Sequence, residues 1–212
     1  MAYDLEEQES LEQLKAWWEK WGTLTLSVIT AGCLAFSAYN GWNWYKRYQG
    51  SKATVAYIQL QNAYAVNDKK NMKSIAEGLM KEYPSHVFAS LAALMKAADA
   101  VGSGDADAAR AALSWVIDKG GQPQYDLVAR VRLAGVELQA GNAARAKEVL
   151  AAAKPTPRQM TAYLDRLGDA ELALGNPEAA RKAWADALKA DAGDGALTAL
   201  LNLKLEALPK SK

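Results

Sequence analysis

The chain has 212 residues, half of them apolar, with 25 basic and 24 acidic side chains and a formal net charge of +1. No basic patch interrupts this balance, which argues against binding nucleic acid through its phosphates. One histidine and one cysteine supply no metal-ligand spacing, and no nucleotide loop or nucleophile elbow occurs, so neither cofactor nor catalysis is expected.

Residues 1–20 form a short acidic tail, with Asp4, Glu6, Glu7, Glu9, Glu12 and Glu19 against Lys15 and Lys20. Leu11, Leu14, Trp18 and Trp21 recur at helical spacing, which predicts a helix from about Ser10 that continues into the next segment. That segment, residues 21–45, contains no charge. At 1.5 Å per residue it reaches about 37 Å, enough to cross a bilayer core of about 30 Å. Trp17, Trp18 and Trp21 flank one end and Trp42, Trp44, Tyr45 and Tyr48 the other, where membrane–water interfaces favour aromatic rings. A cleaved signal peptide would have a basic start and a shorter apolar run. Thr30-Ala31-Gly32-Cys33 mimics a lipoprotein processing site, but Thr30 stands where leucine is expected, and a buried thiol in a retained helix is the simpler reading. Lys15 and Lys20 before the span against Lys46, Arg47 and Lys52 after it leave orientation undecided by charge.

Residues 46–212 read as helical hairpins. Turn pairs recur at Asn67-Asp68, Gly104-Asp105, Gly141-Asn142 and Gly175-Asn176, spaced by 37, 37 and 34 residues. Such intervals match the period of tetratricopeptide repeats. The first residue of each pair suits a left-handed helix end, and the second suits a cap for the following helix. Repeats are expected at about 53–86, 90–123, 127–160 and 161–194, with small residues such as Ala97 and Gly168 at helix crossings and large ones such as Leu113 and Trp184 between layers. Glu137 and Glu171 stand where the pattern favours an aromatic, the first unit matches poorly, and 119–124 reads as a longer loop. His86, following Pro84, reads as a loop or helix-start residue. Residues 196–208 are expected to form a capping helix, with Leu197, Leu200, Leu201, Leu205 and Leu208 inward and Asn202, Lys204 and Glu206 outward. The expected fold is all-α: one N-terminal transmembrane helix, then a tetratricopeptide-like solenoid with its C-terminal cap. An irregular helical bundle is the competing reading.

The opening Met1-Ala2-Tyr3-Asp4-Leu5-Glu6-Glu7-Gln8-Glu9, followed by Leu14-Lys15-Ala16-Trp17-Trp18, the single anchor and the repeat domain together resemble the YfgM family, ancillary subunits of the bacterial SecYEG translocon. The resemblance implies an inner-membrane protein with a cytoplasmic N-terminus and a periplasmic repeat domain. It also implies association with SecYEG and with the membrane-anchored periplasmic chaperone PpiD, and a role in passing newly secreted proteins towards periplasmic chaperones.

In such a stack the first helix of each pair lines the inner wall. Aligned to the repeat, the groove positions are Tyr57, Gln61, Tyr64, Leu91, Leu94, Val128, Val131, Leu138, Asp165, Asp169 and Leu172. They form an apolar trough with an acidic far end, suited to an extended or helical segment of a partner, including nascent secreted proteins. For each of them a place in the core between repeats is the competing reading. A cytosol-facing docking receptor for a soluble partner is the alternative function, and a membrane-bound enzyme or regulator is a third.

Overall fold

A computed structural model describes residues 2–190 and 197–208, with side chains from Glu9 onward. The chain divides into two compact units, Met1–Ser51 and Lys52–Lys212. Helix α1, Ala2–Ala65, contributes to both. It begins well before Ser10, because the glutamate-rich opening combines good helix formers with acidic charge at the favourable N-terminal end. Within the first unit the aliphatic side chains of Leu24, Leu26, Val28, Ile29 and Leu34 are exposed. A helix whose apolar residues point outward on all sides suits a nonaqueous surrounding, and this one is long and apolar enough to cross a membrane. Lysines bracket the uncharged stretch: Lys20 lies 5.7 Å from the Trp21 ring and Lys46 lies 5.5 Å from the Trp42 ring.

In the second unit the end of α1 pairs with α2 (Lys69–Glu82), α3 (Val87–Gly102) with α4 (Ala106–Lys119), α5 (Pro123–Gln139) with α6 (Ala143–Ala151), and α7 (Met160–Ala173) with α8 (Pro177–Ala190). Helix α9, Thr198–Ala207, packs on α8. The first helices α3, α5 and α7 also touch in succession, so they form a row. All helices follow from the chain's high content of alanine, leucine, lysine and glutamate, but the pairing follows from the turns.

Asn67, Gly104, Gly141 and Gly175 all have left-handed φ, between 55° and 80°. Each lets the next amide reach back over the helix end: Asp68, Asp105, Asn142 and Asn176 donate to the carbonyls of Ala63, Ala100, Glu137 and Glu171 at 2.8–2.9 Å. The side chains of the second turn residue then divide into two kinds. Asp68 and Asp105 cap α2 and α4, accepting from Asn71 and Ala108. Asn142 does not cap α6, and its amide, like that of Asn176, turns back to a glutamate at 3.0 Å. Those glutamates are Glu137 and Glu171, both buried. Each also receives a cation from the second helix of the preceding pair: Arg110 meets Glu137 at 3.0 Å, and Lys147 meets Glu171 at 2.8 Å. The two positions that break the aromatic pattern are therefore polar links between neighbouring pairs. A buried carboxylate demands such donors.

Large and small residues face each other across each hairpin. Ala97 packs in one cluster with Leu113, Ala134 with Leu150, and Gly168 under Trp184. The first pair inverts the sizes, with Leu60 on the first helix and Ala76 on the second. That inversion explains its poor match to the repeat pattern. One expected boundary shifts. Pro123 starts α5 directly, leaving three residues between α4 and α5 instead of a long loop. Helix α6 stops after nine residues, because Pro155 and Pro157 prevent its continuation, and Pro157–Gln159 forms a 3-10 turn. Residues 191–196, where the last repeat was expected to close and the cap to begin, lie outside the described residues, as do 209–212.

Candidate partner-binding groove

His86 caps α3 as an acceptor, its Nδ1 receiving the Phe88 amide at 3.4 Å. Partial burial lowers its pKa, which favours the neutral ring that this bond requires. The Phe88 ring stacks on Tyr57 at 4.6 Å, so Tyr57, one of the expected groove residues, joins α1 to the start of α3. Gln61 is exposed, and Tyr64 borders a 210 Å³ pocket with Lys69, Lys73 and Asp99. Leu91 is half-buried, whereas Leu94 is only 6% exposed and belongs to the central cluster with Ala97 and Leu113. Leu94 is therefore held by core packing and offers little surface to a partner.

On α5, Val128 packs against the central cluster, and Val131 and Leu138 pack against the one containing Ala134 and Leu150. Leu172 on α7 is exposed. Asp165 and Asp169, one turn apart on α7, converge on a single cation. Lys204 of α9 approaches Asp165 at 2.5 Å and Asp169 at 2.6 Å. The residue expected to face outward from the cap thus turns inward and neutralises the acidic end of the trough. Its ammonium also lies 5.5 Å from the Trp184 ring. Leu200, expected inward, is exposed, while Leu201 is fully buried against Trp184.

The row of first helices holds a different opening, a 310 Å³ pocket bordered by Ala97, Ala98 and Val101 of α3, Arg132 and Gly135 of α5, and Arg166 of α7. Arg132 and Arg166 are 34 residues apart and so occupy the same place in successive repeats. The Arg166 guanidinium lies over Gly135, with its carbon 3.5 Å from where a side chain would begin, and its Nη1 is held by Asp169 at 3.1 Å. Neither arginine was among the expected groove residues. Their shared repeat position is the signal in the sequence that marks them.

The model of the tetratricopeptide repeat-like domain family matches residues 15–210. A protein of Aggregatibacter actinomycetemcomitans named ancillary SecYEG translocon subunit is 31% identical over 88% of this chain and 91% of its own. Its namesake in Haemophilus influenzae is 26% identical over the same shares. The Neisseria gonorrhoeae namesake is 24% identical over 98% of this chain and all of its own. No solved structure matches the chain. The span-length apolar helix, the repeat-like hairpins and this likeness along nearly the whole chain agree, and the chain belongs to the YfgM family of ancillary SecYEG translocon subunits, with a tetratricopeptide repeat-like domain.

Proposed function

We propose that the chain is a membrane-anchored adaptor of the Sec translocon that helps to hand newly secreted proteins to periplasmic chaperones through its helical-repeat domain. The tail, residues 1–20, lies in the cytoplasm, residues 21–45 cross the inner membrane, and residues 46–212 form the periplasmic contact domain. SecYEG and the anchored chaperone PpiD are its partners, and emerging secreted chains touch it transiently. The observation that carries this reading is that one chain joins a helix of membrane-crossing length to a repeat-like domain, within a family whose members are named ancillary SecYEG translocon subunits. The physics supports such a division of labour. Tethering a weak binder beside a channel raises its effective concentration towards the millimolar range, so modest affinity suffices and release stays fast. Charge near the span does not fix orientation, so the test must. Protease added to spheroplasts should digest the domain, and SecYEG should co-purify with the full-length chain from gently solubilised membranes. A protected domain would establish the cytosol-facing receptor instead, and loss of SecYEG on purification would refute the adaptor.

A further inference from the structure

We propose that Arg132 and Arg166 form a carboxylate-reading site in the pocket between α3, α5 and α7, taking an acidic side chain flanked by apolar residues in an extended partner segment. This deepens the adaptor reading and rests on it. Lys204 and Arg166 already balance Asp165 and Asp169 of α7. Arg132 is exposed and has no ion pair among the described residues, so the pocket carries one uncompensated positive charge. Asp169 holds the Arg166 guanidinium in place, and Gly135 leaves the room in which it lies. A guanidinium fixed in this way loses little freedom on meeting a carboxylate, and its planar fork suits that geometry better than an ammonium would. Small apolar residues of α3, Ala97 and Ala98, form the opposite side. They leave space for aliphatic side chains beside the acid. A polyanion would need an extended basic surface, whereas Arg132 and Arg166 are the basic residues that border this pocket.

The test uses the full-length chain in zwitterionic micelles and two probes, acetyl-Gly-Leu-Glu-Leu-Gly-amide and its glutamine twin. Binding is read from the arginine Nε–H resonances and from titration at increasing salt. The glutamate peptide should move the Arg132 and Arg166 signals and bind roughly tenfold more tightly than the glutamine peptide, with the difference shrinking as salt rises. Arg132→Gln should erase the preference, and Arg132→Glu should reverse it in favour of the glutamine twin. Because Arg132 is exposed, neither change should disturb the circular dichroism spectrum. Equal binding of both peptides, no binding of either at millimolar concentration, or an unaltered preference in Arg132→Gln would overturn the site. Co-purification of SecYEG with the unaltered chain reports separately on the adaptor reading, so the two can fail independently.

Discussion

Gly168 and Trp184 fix each other's identity. A β-carbon at Gly168 would lie 2.3 Å from Trp184 Nε1, which donates to the Asp165 carbonyl at 3.1 Å. Gly168→Ala must displace a buried indole and should cost about 1–3 kcal/mol in chemical denaturation. The hairpin before it shows the remedy, since Ala134 there faces Leu150. Adding Trp184→Leu to Gly168→Ala should therefore recover part of the loss, and strictly additive costs would show that the two residues are not coupled. Glu171 makes a prediction about pH. Its carboxyl is held below the ordinary value, first by the bond from Lys147 and then by the Asn176 amide. The folded state thus binds this proton less readily than the unfolded one. The resulting stability is present above the unfolded pKa of about 4.3 and is lost as pH falls through the lower folded value. Stability curves of the natural chain and Glu171→Gln should differ at neutral pH and converge in acid. A constant gap would mean that the ion pair contributes nothing to stability.

At the scale of the element, the turns carry most of the specification. A left-handed residue closes each first helix, and its neighbour chooses between capping the next helix and serving a buried glutamate. Asn142→Asp would replace a donor to Glu137 with a second carboxylate, and denaturation should show a loss of about 1–3 kcal/mol. Asp105→Asn, opposite Ala100 and with capping ability retained, should stay within a few tenths. If both changes cost the same, the two kinds of turn are equivalent after all. Helix pairs and turns could be read from the sequence because glycine at a left-handed position and a 34–37 residue interval are local signals. The stop of α6 is equally local, in Pro155 and Pro157. The inward course of Lys204 was not local. Periodicity assigns a lysine to solvent, and only the placement of Asp165 and Asp169, 39 and 35 residues earlier, turns its ammonium inward. The groove suffered from the same limit. Repeat position places a residue on a helix face, but whether that face is wall or core depends on the neighbouring helix, as Leu94 shows.

At the scale of the whole repeat-bearing unit, Lys52–Lys212, stability should be transmitted from neighbour to neighbour. Among the described residues four buried apolar clusters lie along the stack, and the one nearest its C-terminal end joins Trp184 and Ala187 of α8 to Leu201 of α9. Lys204 adds its two carboxylate contacts, so α9 seals the end of the stack by both apolar and charged means. Leu201→Asp would place a carboxylate in a fully buried site beside that cluster, and the cheapest relief is to undock α9. Undocking leaves Asp165 and Asp169 without their shared cation and uncovers Trp184, so α7 and α8 should loosen next. The polar link from Glu171 to Lys147 of α6 is the next contact in line, and it does not involve α9. Hydrogen exchange on the full-length chain should therefore accelerate strongly in α8 and α9, less in α7, and hardly at all in α2 and α3. Uniform acceleration from α2 to α9 would mean that the unit unfolds as a single cooperative block, and the nearest-neighbour description would have to be abandoned. A gradient would show that the cap can open without disturbing the α2 and α3 end of the stack.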